Sequence, residues 1–245
     1  MRMPDLRRSA RVILWTLPVL LLVLIGIAMS LAFFSGACRI TKVNFTGFKY
    51  VSPEYLRQLS GIDGYKNLVT LPVGRIATNL QSNAWIRDAH VQRHLLHTVN
   101  IRVEERVPVA VLEYSGTGFL VAADGLVIAG TPMDQSPELP RVHGGTSPPP
   151  TVGSVVPDKK VRECVSVIGG MPPSMRAVLA LGNPFDGRGQ VFISRLGFNV
   201  IYGPDIDTKK KNEVLEAIIA DVKNNKRNIA YIDLRVPDSP VIKPR

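Results

Sequence analysis

The chain has 245 residues, of which 45% are hydrophobic and 20% charged, and its formal net charge is +10 at pH 7. The excess of basic residues is spread along the chain and is not interleaved with stacking aromatic residues, which argues against nucleic acid as a partner. Two cysteines are too few for a disulfide framework or a cysteine metal site.

The first long element is Val12–Phe34, a run of 23 residues without a charge in which 15 are Leu, Ile, Val or Phe. As a helix it is roughly 35 Å long, enough for a hydrocarbon core of about 30 Å. We therefore predict a single transmembrane signal anchor at residues 12–34. Four arginines among residues 1–11 make that segment the cytoplasmic tail and place the rest outside the cytoplasm. Two alternatives stay open, namely cleavage after Ser35-Gly36-Ala37 and lipid attachment at Cys38.

The next module begins with a short predicted strand that contains Val43 and Phe45. A helix follows, with Ser52 as its N-cap, and a second helix is predicted from about Val73 to Gln81. From Trp85 the hydrophobic period changes to two, which predicts two further strands. The order strand, helix, helix, strand, strand indicates a small sheet with two helices on one face.

The rest of the chain predicts a mixed, mainly antiparallel domain. A hairpin turns at Asp124-Gly125, and the proline-rich stretch from Thr131 to Val152 reads as a surface loop between strands. The apolar face of a helix from Asp158 to Ile168 contains Cys164, which indicates a core residue and not a reactive thiol.

A second hairpin, an amphipathic helix and an apolar strand complete the predicted domain. The hairpin covers Val191–Tyr202 and turns at Leu196-Gly197, the helix covers Lys209–Asn224, and the strand covers Ile229–Arg235. Lys209 to Lys211 are interpreted as a solvated helix face.

No catalytic signature is found in the sequence. It contains no Ser-x-x-Lys, His-Glu-x-x-His, Gly-x-Ser-x-Gly or P-loop motif. His90 and His94 are about 13 Å apart if both lie on one strand, too far to share a metal ion. We predict a protein that is not an enzyme and has no cofactor, metal or small-molecule substrate.

Several runs carry a resemblance to a known family. Val99–Ala110 fits the pattern Ile-x-Val-x-Glu-Arg-x-Pro-x-Ala, and three shorter runs precede it: Val43–Gly47, Ser52–Glu54 and Asn83–Ile86. These residues resemble the POTRA domain of the FtsQ/DivIB family of bacterial division proteins. The tract Tyr231–Arg235 resembles the end of the β domain of the same family.

The resemblance implies an α+β architecture: residues 38–114 as a POTRA domain and residues 115–245 as an FtsQ-like β domain, after the single transmembrane helix. It further implies a non-enzymatic scaffold at the division septum, in the cytoplasmic membrane. Such a scaffold links early and late divisome components and helps control septal peptidoglycan synthesis by binding FtsB/FtsL-like bitopic proteins. POTRA domains also occur in outer-membrane assembly proteins. The alternative is therefore an envelope transport or assembly factor that chaperones unfolded or secreted substrates.

The family's partner site lies on the last strand of the β domain, where a partner segment adds to the sheet edge. Two prolines in this tail weaken the case unless they face away from the sheet. A second surface is expected on the POTRA domain near Val43, Phe45 and an edge strand after Glu104. The residues carried over for the edge are Arg235, Val236, Asp238, Ser239, Val241 and Ile242.

Overall fold

The computed structural model describes residues 18–28, 30, 38–94, 97–145 and 148–245. Residues 18–28 are helical and are named α1. Among the described residues, none of the helices combines the length and the apolar character that a membrane span requires. The predicted anchor Val12–Phe34 overlaps this part of the chain only at residues 18–28 and 30. Its remainder, the predicted tail at 1–11 and the Ser35–Ala37 run lie outside the described residues.

The chain divides into two compact units, one made of Met1–Gln81 with Asp88–Glu104 and the other of Ser82–Arg87 with Glu105–Arg245. The first unit is built on a three-stranded sheet of order β1-β3-β2, in which β1 runs parallel to β3. The predicted order of strands and helices is confirmed. Its elements are β1 (Lys42–Thr46), α2 (Pro53–Ser60), a 3-10 turn (Ile62–Gly64), α3 (Val73–Gln81), β2 (Ile86–His94) and β3 (Thr98–Glu105).

The predicted ends of helix α2 are confirmed. The Ser52 hydroxyl accepts a hydrogen bond from the Tyr55 amide at 3.2 Å, which satisfies one of the free donors at the helix start. Gly61 closes the helix with φ +64°, a left-handed conformation that glycine adopts without strain. The buried residues of α2 and α3 include Leu56 and Ile76, and alternate residues of β3 are buried as well.

The second unit contains one nine-stranded sheet of order β12-β11-β10-β9-β8-β7-β4-β5-β6. Its predicted hairpins and helices are confirmed within a residue or two. The elements are β4 (Pro108–Tyr114), β5 (Thr117–Ala122), β6 (Val127–Thr131), β7 (Arg141–His143), α4 (Lys159–Gly169), α5 (Pro173–Arg176), β8 (Leu179–Asn183), β9 (Gln190–Ser194), β10 (Asn199–Gly203), α6 (Thr208–Asn224), β11 (Ile229–Asp233) and β12 (Val241–Pro244).

One continuous core joins this sheet to helices α4 and α6. Cys164 of α4, Leu215 of α6 and Phe192 of β9 belong to it, and each is fully buried. The prediction that Cys164 is a core residue is confirmed. Burial raises the pKa of its thiol well above the ordinary value, because the thiolate has no water or cation to stabilise it.

The proline-rich segment from Thr131 to Val152 is not only a surface loop, and that prediction is wrong. Strand β7 lies inside it and pairs in parallel with β4 on one side and β8 on the other. The prolines flank the strand, and the Pro140 carbonyl accepts a hydrogen bond from the Val111 amide at 2.9 Å. A proline keeps its acceptor, so it is tolerated at the start of a strand even in the middle of a sheet.

The predicted boundary of the POTRA domain at residue 114 also differs from the structure. Strand β4, which the prediction assigned to that domain, pairs with β5 and β7 of the second sheet, and the two units divide after Glu104. The predicted edge strand after Glu104 is therefore not part of the first sheet. Two residues, Arg106 and Val107, separate β3 from β4 and allow consecutive strands to enter different sheets.

The prediction of a solvated helix face at Lys209 to Lys211 is wrong for Lys211. Its side chain is 1% exposed. The ammonium Nζ donates to the Pro204 carbonyl at 2.8 Å and lies 5.0 Å from the centre of the Tyr202 ring. Burial lowers the pKa of Lys211, while Asp207 and Asp205 act in the opposite direction.

Candidate partner-binding site

Strand β12 forms one end of the nine-stranded sheet. It pairs antiparallel with β11, and the register places Val241 opposite Asp233, Ile242 opposite Ile232 and Lys243 opposite Tyr231. All four residues of β12 are exposed, Val241 by 53% and Ile242 by 37%. Within the described part of the chain, no further strand covers the outer side of β12.

The direction of the free backbone groups follows from the next strand inward. The Leu234 amide donates to the Ile201 carbonyl of β10 at 2.8 Å, so the even-numbered residues of β11 point toward β10 and Asp233 points toward β12. Opposite residues of an antiparallel pair bond to each other alternately. Val241 and Lys243 therefore face β11, whereas Ile242 directs its N–H and C=O outward.

Of the two prolines that weaken the predicted edge, Pro237 lies in the turn between β11 and β12, outside the ladder, and Pro240 precedes β12. Pro240 has the same parity as Ile242, so its backbone faces away from β11. Pro244 lies beyond a register shift, opposite Ile229, but the next amide, that of Arg245, donates to the Asn228 carbonyl at 3.1 Å, so Pro244 also lies at an outward position. A proline at an outward position removes no hydrogen bond from the ladder to β11. The outer edge thus offers one donor, the Ile242 N–H, and the carbonyl acceptors of Pro240, Ile242 and Pro244.

The other predicted edge residues lie in the connection between β11 and β12. The Ser239 amide donates to the Val236 carbonyl at 3.1 Å, which closes a turn, and Val236 is 60% exposed at its start. Asp238 pairs with Lys210 of helix α6. The structure thus brings all six predicted edge residues to one end of the sheet.

A charged surface lies beside this edge. The Arg235 guanidinium binds Asp233 through Nε and Nη2, with Nη2 2.7 Å from Oδ2. Arg188 pairs in the same way with Asp186, two residues before it, at 2.9 Å. Lys243 of β12 places its Nζ 5.8 Å from the centre of the Tyr231 ring.

These pairs set the charge states of their carboxylates. The side-chain hydrogen bond from Arg188 holds the pKa of Asp186 at about 2, and that from Arg235 lowers the pKa of Asp233. Arg188 also acts electrostatically on Asp233, so the two pairs share one surface. Both carboxylates remain ionised at neutral pH, and the guanidinium groups are partly exposed.

Two glycines, Gly203 and Gly189, allow the backbone beneath the Arg235 side chain to pack closely. A Cβ on Gly203 would lie 2.8 Å from the Arg235 Cγ, and a Cβ on Gly189 would lie 2.6 Å from the Gly203 carbonyl carbon. Gly203 also has φ +76°, which side chains of L-residues rarely adopt. The stem of Arg235 therefore rests directly on the backbone of β10.

The two remaining predicted residues, Val43 and Phe45, lie on β1 at one edge of the first sheet. They line a groove of about 1030 Å³ that extends across the polar face of that sheet. Asn44 donates to Asn100 across this face at 3.0 Å. The two predicted surfaces belong to different compact units.

Two histidines of the first unit, His90 and His97, have protein partners. His90 lies 3.1 Å from the Asp88 carboxylate, and the His97 ring nitrogen Nδ1 lies 2.9 Å from the Arg39 carbonyl. Among the residues that the structure describes, no three His, Cys, Asp or Glu side chains are placed to hold a metal ion.

Tyr231, Lys243 and Arg188 were missed as members of the charged surface. The two Asp-x-Arg sequences, at Asp186 and Asp233, were a visible signal, because an aspartate and an arginine two residues apart can close a local ion pair. Nothing in the sequence alone shows that the two pairs come together, since 47 positions separate them.

Comparison with known proteins gives the context for this geometry. Residues 38–106 match the family described as "POTRA domain, FtsQ-type". The chain is 28% identical over 178 residues to the cell division protein FtsQ of Rhodothermus marinus, covering 71% of this chain and 62% of that protein. It is 21% identical over 228 residues to the cell division protein DivIB of Clostridium tetani, covering 90% of this chain and 85% of that protein.

A third relative, the cell division protein FtsQ of Bradyrhizobium diazoefficiens, is 23% identical over 216 residues, or 85% of this chain and 58% of that protein. The chain thus spans about three fifths of the length of several FtsQ proteins that it matches. Among solved structures, the major extracytoplasmic domain of DivIB from Geobacillus stearothermophilus matches with a TM-score of 0.36 at 15% identity, covering 50% of this chain and 98% of that domain. Residues 38–106 are a POTRA domain of the FtsQ type, and the chain resembles the FtsQ and DivIB cell division proteins over most of its length.

Proposed function

We propose that this protein is a non-enzymatic scaffold of the bacterial division machinery, anchored in the cytoplasmic membrane by residues 12–34, with both folded units outside the cytoplasm. In this role it binds FtsB/FtsL-like bitopic proteins at the septum and helps to control septal peptidoglycan synthesis. The similarity to FtsQ and DivIB proteins supports the division role.

The observation that carries the partner site is the outer edge of β12. In strand addition, a backbone carbonyl of an extended partner segment would accept a hydrogen bond from the Ile242 N–H. Backbone amides of the same segment would donate to the carbonyls along the edge. The Asp186–Arg188 and Asp233–Arg235 pairs beside the edge are each neutral overall, so Lys243 gives this surface its net positive charge and favours a partner segment with an acidic residue. Val43 and Phe45 on β1 are proposed as a second, separate contact surface of the POTRA domain.

The test separates the outward backbone donor from the side chain. Ile242→Pro removes the outward N–H but leaves the Val241 and Lys243 amides that face β11. Ile242→Ala removes more of the side chain than proline does but keeps the N–H, so it is a stringent control for loss of the side chain. We expect the proline variant to lose co-purification of FtsB/FtsL-like proteins from host membranes, and the alanine variant to retain most of it.

Equal co-purification by the two variants, with thermal unfolding unchanged, would refute strand addition at β12. Imaging of an amino-terminally tagged chain tests the wider role, because a division scaffold forms a band at the constriction site. A uniform envelope signal throughout the cell cycle would instead support the transport or assembly alternative.

A further inference from the structure

Three segments meet at the end of the POTRA domain that contains Cys38, where the described chain resumes after α1. The Ile40 amide donates to the Lys66 carbonyl at 3.0 Å, and the Leu68 amide donates to the Cys38 carbonyl at 2.7 Å. The Thr41 amide donates to the His97 carbonyl at 2.9 Å. Residues near 38–42, 65–69 and 97 therefore form one continuous surface. We name it the basal surface and define it by Arg39, Lys42, Lys66, Val69 and Arg93.

Arg93 is attached to the basal surface by its side chain. Its Nη2 donates to the Leu71 carbonyl at 2.7 Å, two residues after Val69. Arg93 lies near the end of β2 and His97 lies just before β3, so the third segment contributes both a cation and a backbone contact.

The charge of the basal surface has one sign. Segments 38–43, 65–72 and 91–98 together contain four Lys or Arg and two His, and no Asp or Glu. Arg39, Lys42 and Lys66 are exposed, and within the described ranges none of them takes part in an ion pair. Val69 is 53% exposed and adds an apolar side chain to this surface.

The covalent chain limits where this surface can be, and this step depends on the anchor proposed above. The predicted span ends at Phe34, so four residues of chain reach Cys38, at most about 14 Å from the hydrocarbon edge. The headgroup layer itself is about 5–8 Å thick on each side. Cys38 and the adjacent Arg39 can therefore lie no farther than about one Debye length, ~8 Å, from the lipid phosphates, and the backbone hydrogen bonds tie the segments of Lys66 and His97 to this point.

We infer that the basal surface docks on the anionic headgroups of the membrane that holds the anchor, which fixes the POTRA domain against the bilayer. Each Lys or Arg near an anionic surface strengthens association about fivefold. Removing three of these charges should therefore weaken docking on the order of a hundredfold. The exposed Val69 would enter the interfacial layer beside them.

The experiment uses the full chain in nanodiscs of phosphatidylcholine alone and of phosphatidylcholine with an equal share of phosphatidylglycerol. An NBD fluorophore is attached at Val69→Cys in a Cys38→Ser background, where buried Cys164 does not react. We expect brighter, blue-shifted emission in the anionic discs only, reversed at about 0.5 M salt, where charge interactions are screened.

The triple variant Arg39→Gln, Lys42→Gln, Lys66→Gln should abolish the response. The matched control Lys209→Gln, Lys223→Gln, Lys226→Gln removes the same charge from exposed positions of the second unit and should keep it. Equal emission in both kinds of disc, or an unchanged triple variant, would overturn the inference. So would shielding of Val69 that appears only when an acidic protein segment is added. Failure of the chain to remain in discs of either kind would instead refute the anchor, and with it the docking.

Discussion

Gly203→Ala is the substitution that most directly tests how the charged surface beside β12 is built. The new Cβ would lie 2.8 Å from the Arg235 Cγ, so this side chain must move by more than half an ångström to reach an ordinary contact distance of about 3.5–4.0 Å. The left-handed φ of +76° adds a conformational cost of about 1–2 kcal/mol for a residue with a Cβ. We expect urea denaturation to show that the free energy of unfolding falls by about 1–2 kcal/mol.

The same variant should change the titration of Asp233. Its pKa is lowered because Arg235 donates to it, so the pair stabilises the fold above the unfolded-state pKa of about 3.9, and this contribution is lost as pH falls through the folded pKa. When Arg235 is displaced, the pKa of Asp233 should rise toward about 3.9 and the acid-dependent part of the stability should shrink. Carboxyl NMR titration measures this, with Asp186 at about 2 as the internal reference.

Gly130→Ala is the control for a glycine substitution in a strand, because nothing lies within 4 Å of its added Cβ. It should cost little and leave Asp233 unchanged. If Gly203→Ala keeps both the unfolding free energy and the lowered Asp233 pKa of the parent chain, the proposed packing of the Arg235 side chain on the backbone of β10 is wrong.

Two further predictions concern the interior. Because burial raises the pKa of Cys164, its thiol should resist iodoacetamide in the native state and react only in denaturant, which mass spectrometry of the labelled chain will show; native labelling of Cys164 would contradict the core assignment. Arg106→Gln removes a guanidinium that donates to the Ala84 and Ile86 carbonyls at 3.1 and 2.8 Å and pairs with Asp124 at 3.2 Å. It should lower the unfolding free energy by about 2 kcal/mol, whereas a change below about 0.5 kcal/mol would show that these contacts are replaced by water.

Local signals predicted most of the elements, because each is decided by neighbours in sequence. Ser52 and Gly61 mark the ends of α2, and Asp124-Gly125 marks the turn from β5 to β6. Asp158 caps α4 with bonds to the Lys160 and Val161 amides. In each case one residue type satisfies a backbone group within a few positions, so the sequence carries the information.

The wrong predictions concern residues whose structure depends on contacts with segments that are distant in sequence. Strand β7 has three residues, too few to show an alternating pattern, and its assignment depends on β4 and β8 lying on either side. Lys211 is buried because Tyr202 and the Pro204 carbonyl meet it from another element. The charged surface has the same character, since Arg188 and Arg235 come together only after β9, β10 and β11 have paired.

The short strand β7 has a consequence for the order of folding. One side of the nine-stranded sheet is the consecutive series β4, β5 and β6, and the other runs from β8 to β12, so each side is built largely from strands that are close in sequence. Only β7 joins them, through Val111 opposite Arg141 and Arg141 opposite Leu181, partners that are 30 and 40 positions apart. Because closing long loops has an entropic cost before any contact compensates it, the insertion of these three residues, and not the formation of either series, should limit how fast this unit becomes a single cooperative sheet.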